Sequence, residues 1–319
     1  MRRSTKAWLI IAAVLILAGA AGFTGVMSKH HWDFSALRAG RMTERTETVT
    51  EEFRNISIRC GADVALLPSE DGSCRLEFLE RENIIHTVNV QNGGLSIGVK
   101  DKRDWFESLG LFTGTQKITL YLPEGAYGAL SVDGGAGDVV LPENFTFESV
   151  KLSVSTGDVE CRSSVSGLLR VDGGTGGVTL ENVSAGKLDL SVSTGRVDLS
   201  SVACGGDFYL SVSSGKSFLR DVTCQNLTTS GSTGDVTLEN VVAKKLLSVT
   251  RSTGSVTFAG SDAGELLFET DTGDVTGSLL SAKVFITQTD TGKVEVPETA
   301  SGGKCRITTG TGDIKITVG

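Results

Sequence analysis

The 319-residue sequence has little that enzymes or nucleic-acid binders usually need: three Trp, three Tyr, three His and four Pro. His30 and His31 are neighbours and His86 stands alone, so no zinc-ligand spacing exists. No Ser-His-Asp set, phosphate loop or hydrolase elbow is present, and no cofactor is implied. Positive charge is also scarce beyond the first segment. Residues 1–45 carry a net +5 and the remainder −13, for a total of −8. An acidic body of this kind is repelled by nucleic acid and by anionic lipid heads, so no nucleic-acid partner is expected.

Glycine, by contrast, reaches 40 residues. With so little Pro, this excess is not a linker signature and must serve a regular backbone demand. Gly137, Gly157, Gly176, Gly195, Gly215, Gly234, Gly254, Gly273, Gly292 and Gly312 follow one another at intervals of 19 or 20 residues. All but the first follow Thr or Ser. A period this even over ten copies marks a solenoid with one supersecondary unit per turn.

Counting slots from each glycine as zero, slot +2 is Val in eight turns and slot +4 is mostly Leu, Phe, Val or Ile, with polar residues between them at +3. Slots −7 and −5 are mostly apolar as well, as in Leu188 and Leu190 or Leu266 and Phe268. This alternation predicts two inward-facing strand segments per turn, with the Thr/Ser-Gly pair at the corner between them. The fold class expected is all-β, a β-solenoid of 19–20-residue turns. Stacked at the inter-strand spacing, ten turns make a rod roughly 45 Å long.

The N-terminal segment differs in kind. Arg2, Arg3 and Lys6 precede an uncharged run over 7–27, long enough to cross a bilayer as a helix. The basic residues place 1–6 in the cytoplasm and the body outside, in a single-pass arrangement at the cell membrane. A cleaved signal peptide ending near Ala18–Gly19–Ala20 is the rival, although apolar character continues past it to Met27. Residues 28–46 read as a juxtamembrane linker and 47–319 as the extracytoplasmic solenoid.

Within it, 47–135 reads as degenerate turns with Gly61 at a corner, and 136–319 as regular ones. The stretch 101–114, DKRDWFESLGLFTG, breaks the pattern as an excursion loop whose Trp105 and Phe106 either cover an open edge or form a binding loop. The sequence finishes on the strand GDIKITVG, whose open edge predicts an end-on partner or self-association.

KITLYLPEGAYGALSVDGGAGDVVLP, followed by repeated STGDV after one apolar N-terminal segment, is similar to the bacterial "putative adhesin" family, the toast-rack domains. The resemblance covers about 47–319. It implies a β-solenoid exposed on the bacterial surface or linked to envelope stress responses, and supplies no agreed ligand and no catalytic residues to carry over; the partner expected is an unknown surface protein or glycan.

Two Asp-Thr-Gly triplets, at Asp271 and Asp290, invite comparison with an aspartic protease dyad. Both occupy slot −2, usually Ser or Gly, only 19 residues apart, which fits substituted corner serines on adjacent turns better than two lobes of a cleft. Carboxylates about 5 Å apart would still offer a weak cation site. At slot +1, Asp274, Lys293 and Asp313 predict alternating charges down the stack.

Among the cysteines, Cys204 and Cys224 fill the small-residue slot +9. They are near enough for a disulfide, as are Cys60 and Cys74 across a hairpin. The function expected is a membrane-anchored, non-catalytic surface scaffold; the alternative is a β-helix enzyme acting on cell-wall polysaccharide.

Overall fold

The computed structural model describes residues 3–29, 42–101 and 115–319. Contacts divide the chain into two compact units, residues 1–43, 81–85 and 101–114, and residues 44–80, 86–100 and 115–319. Trp105, Phe106 and all but the first residue of the expected excursion loop lie outside the described residues.

In the first unit the uncharged run lies inside a helix, α1, Arg3–Lys29. Among the described residues no helix is long and apolar enough to cross a membrane. The expected transmembrane span is therefore present here as a helix and is not established as a span.

The second unit is the solenoid. In chain order the strands begin with β1 (Met42–Val49), β2 (Asn55–Cys60), β3 (Asp63–Pro68), β4 (Cys74–Arg81), β5 (Ile84–Gln91), β6 (Gly94–Asp101), β7 (Lys117–Leu122), β8 (Gly125–Ala136) and β9 (Val139–Leu141), of which residues 42–43, 81, 84–85 and 101 fall in the first unit. From β8 onward each turn lies parallel on its neighbour with like slots aligned, as in Leu152↔Val171 and Val159↔Val178. The inward slots form one continuous core, including Leu130, Leu152, Leu169, Leu188 and Leu210.

The turns of Gly176, Gly195, Gly215, Gly234 and Gly254 have three inward segments rather than the two expected. Slots +7 and +9 also point in: Val183, Val202, Val222 and Val241 are buried, as are Ala185, Cys204, Cys224, Ala243 and Ala263. A second corner precedes this third side, where Asn182, Ser201, Asp221 and Asn240 take left-handed φ of 53–55° and Gly260 takes 58°. Asn and Asp tolerate that conformation better than other side chains.

The order of stacking departs from the order of the sequence at both ends. β2 and β3 pair with β6 and β7 on one side and with β8 and β9 on the other, so the first turn is wedged in as the second layer. Its corner is Ala62, not Gly61, because Val64 aligns with Val139. At the other end the strand Val256–Thr272 pairs with Gly303–Thr311, which in turn pairs with Lys283–Thr291. The Gly312 turn therefore lies between the Gly273 and Gly292 turns. The strand Ile314–Val318 is interior, between Val275–Leu279 and Val294–Glu295, and the expected open edge belongs to Lys283–Thr291 instead.

The corner glycines have φ of 126–159°. A Cβ on Gly215 would sit 1.7 Å from the Gly195 carbonyl oxygen, and one on Gly195 1.8 Å from that of Gly176. Both conformation and space therefore demand glycine. Gly215→Ala should destabilise the solenoid by about 3 kcal/mol, read as a lower urea midpoint, because strain and backbone overlap add.

Candidate interaction surface

The corners explain the Asp that so often follows the glycine. Asp138 Oδ1 accepts the Asp158 N–H at 2.8 Å, Asp158 Oδ1 the Gly177 N–H at 2.6 Å, and Asp235 Oδ1 the Ser255 N–H at 3.1 Å. Asp274 does the same for Asp313, and Asp313 for Lys293, each at 2.8 Å. Each carboxylate satisfies a backbone donor one layer along. The charges at this end stack Asp274, Asp313, Lys293, so they do not alternate as expected.

Asp271 and Asp290 are not on adjacent layers. Thr270 and Thr272 align with Thr309 and Thr311, which align with Thr289 and Thr291, so Gly310 lies between the two carboxylates. Two layer spacings put them about 10 Å apart. Neither a shared-proton dyad nor a two-carboxylate cation site can form across that distance. Among the described residues no group of three or more His, Cys, Asp or Glu could hold a metal ion.

Cys60, Cys74, Cys204 and Cys224, with Cys161 and Cys305, are free buried thiols, so neither of the two possible disulfides is present. Burial pushes the Cys74 thiol up to about 11 and those of Cys161, Cys224 and Cys305 to about 12. They pack as small apolar groups and are poor nucleophiles at neutral pH.

A groove of about 590 Å³ runs across five turns along the third side. Its floor is small and hydroxylated, with Ser164, Ser166, Ser184, Ala185, Gly186 and Gly205. Tyr127 and Phe147 wall one end, their rings 5.9 Å apart, and the Tyr127 hydroxyl donates to the Pro123 carbonyl at 2.8 Å. The exposed Arg54–Glu148 pair, 2.5 Å, closes that end.

A buried cation was not foreseen. Arg251 is 1% exposed at inward slot −3. Its guanidinium donates to the Val212 carbonyl at 2.9 Å, Thr229 Oγ1 at 3.2 Å and Ser217 Oγ at 3.5 Å, while Nε has no partner. Burial lowers its pKa. A Cβ on Gly231 would lie 1.7 Å from Arg251 Nη1, so that glycine makes the room.

Near the start of the solenoid a second polar cluster is satisfied. Arg45 Nε donates to Glu80 Oε1 at 2.8 Å and Nη2 to the His86 carbonyl at 2.7 Å. Glu80 Oε2 accepts the His86 N–H at 2.8 Å and lies 3.0 Å from Nδ1, and the His86 ring stacks on Phe78 at 5.4 Å.

The model for Toastrack DUF4097 matches residues 53–207 and 205–319. The chain belongs to the Toastrack family. The two matches meet at 205–207 without a break in the stack: Leu188, Phe208 and Leu227 remain in one column. Both matches of this Toastrack chain therefore fall on one continuous stack.

Three solved structures, each called a "putative adhesin", are similar to it. One from Parabacteroides distasonis is 14% identical, covering 87% of this chain and 98% of its own, with a TM-score of 0.49. One from Parabacteroides merdae is 14% identical over 87% and 97%, TM-score 0.47, and one from Bacteroides fragilis 15% over 87% and 97%, TM-score 0.39. No curated protein matches.

Two outcomes are expected of this Toastrack solenoid. Arg251→Met removes a buried charge that has no carboxylate, so the urea midpoint should stay level or rise, whereas Gly231→Ala should lower it. In the Arg45 cluster, burial lowers the His86 pKa against the pull of Glu80. For Glu80, burial acts upward but is outweighed by bonds from Arg45 and His86, and the net shift is down. The unfolded chain therefore binds more protons at both positions. Stability from the cluster should be lost as pH falls through about 6.5 for His86 and below about 4.3 for Glu80. A smaller loss between pH 7.5 and 5 in His86→Gln, measured by urea unfolding, checks the sign.

Proposed function

We propose that this chain is a membrane-anchored, extracytoplasmic scaffold that holds an extended surface polymer, a linear glycan, in the groove along its third side. The observation that carries this reading is the groove itself, about 590 Å³ and open along successive layers, with serine hydroxyls over small residues and the half-buried Tyr127, backed by the buried Phe147, at one end. An extended polymer whose repeat is close to the layer spacing can repeat the same contacts from turn to turn. Hydroxyl donors and acceptors with a flanking aromatic suit a sugar chain better than an apolar peptide.

The anchor is α1, which exposes Trp8, Ile10, Leu15, Ile16 and Leu17. Arg3 and Lys6 on its N-terminal side orient it with 1–6 in the cytoplasm. The adhesin-type role agrees with the names of the similar structures; a part in envelope stress would follow from the same groove sensing cell-wall polymer. No observation on the described residues favours the polysaccharide-cleaving alternative.

The test is binding of soluble cell-wall polysaccharide by the full chain in detergent, with product analysis of the same samples. Wild type should bind without cleaving, and Ser166→Trp, which fills the groove, should bind at least roughly tenfold more weakly. Undiminished binding by Ser166→Trp, or turnover lost in Asp271→Asn, would sink the proposal.

A further inference from the structure

The two ends of the solenoid are finished differently. At the first end β4 lies antiparallel on the outer side of β7, Arg75 to Leu79 against Tyr121 to Lys117, and Arg75 stacks on the Tyr121 ring at 4.4 Å. β1 pairs with β4 beyond that, and it carries Glu44, Arg45 and Glu47, the kind of charged edge that resists further pairing. β5 leads into β6 through Asn92 and Gly93, both at positive φ, the signature of a two-residue hairpin. Among the described residues nothing comparable covers the other end.

There the outermost strand is Lys283–Thr291, KVFITQTDT, and among the described residues its one strand partner is Gly303–Thr311. Half of its backbone donors and acceptors therefore face outward along an open edge. Five of its nine residues are β-branched and it contains no Pro or Gly. Its one Lys is taken: Lys283 Nζ lies 2.6 Å from Asp262 and is buried. Apolar exposure gathers at the same end, with Leu280 58%, Ile286 43% and Val294 42% exposed.

We propose that two copies of this chain join end to end through Lys283–Thr291, paired antiparallel about a two-fold axis, and that the assembly stops at a dimer. The strand's own register supports this partner. A two-fold near Thr287 sets inward residues of one copy beside inward residues of the other, Phe285 opposite Thr289, so the two cores continue into each other. It also holds the two exposed Asp290 carboxylates roughly 20 Å apart along the paired strands. Because the other end is covered by β4 and β1, the contact is isologous and closes after two copies instead of growing into a fibre.

Sedimentation of the full chain in detergent over a wide concentration range tests this. The expected result is a monomer–dimer equilibrium with no larger species, in which Ile286→Lys weakens association at least roughly tenfold. As a second readout, Ile286→Cys should be joined to its partner copy by a short bifunctional thiol reagent, since the six native thiols are buried. Val99→Cys on β6, exposed at the covered end, should not. A monomer at every concentration, a mass that keeps rising, a dimer indifferent to Ile286→Lys, or equal linking at Val99→Cys would each overturn the proposal.

Discussion

The structure depends on one steric constraint, the direct stacking of corner upon corner. Every corner glycine except Gly292, which lies in the outermost layer, donates its N–H to the Thr or Ser carbonyl of the next layer, as from Gly157 to Thr175 at 2.9 Å and from Gly176 to Thr194 at 3.0 Å. The Cβ position of each such glycine is filled by the carbonyl of the layer beneath. No layer can shift against its neighbour without breaking this contact. Register is thereby fixed once per turn, and every other slot becomes a column of like residues one strand spacing apart.

Columns turn single residues into long-range features. Leu and Val at −7 and −5 make a core that no single turn could bury alone. Phe258 and Phe268 stack within it at 4.9 Å, and Thr270 and Thr309 close its −3 column by donating to the Gly254 and Gly273 carbonyls, each at 3.0 Å. Outside, Arg162 and Glu181 or Arg220 and Glu239 pair across layers at 2.8 and 2.7 Å, but these groups are exposed, so they contribute little stability and mainly favour correct neighbours. Arg251 is the exception within the core. It is tolerated because, on the two layers beneath, Ser217 and Thr229 depart from their apolar columns just where Gly231 leaves room.

That coincidence shows what the sequence could and could not reveal. The period, the corner glycines and the inward columns at +2, +4, −7 and −5 were readable, because strand alternation and a fixed repeat map directly onto geometry. The third inward side is visible as the column of Ala and Cys at +9, whose small size is legible in the sequence but whose burial is not. Ser217 is the one polar residue at +2, yet only its proximity to Thr229 and Gly231 makes it part of a cation site, and proximity across layers needs the stack. Asp271 and Asp290 misled for the same reason. Neighbouring turns in sequence need not be neighbours in space, since identical corners allow the Gly312 turn to sit on Gly273 as readily as on Gly292.

The wedged turns at the two ends follow from that degeneracy and have a physical effect. A turn at the end of a stack has one layer interface, while an interior turn has two, so end turns open most easily. Here the turn of β2 and β3 and the turn of Gly312 are each held on both faces. To peel either from the stack, a neighbouring layer must be displaced with it. The layers left with one interface are the β6 and β7 turn, braced by antiparallel β4, and the Gly292 turn, whose Val294–Glu295 strand is two residues long and exposed. Local opening should therefore concentrate in the Gly292 turn, where a single uncovered edge already gathers the exposed apolar side chains of the solenoid's far end.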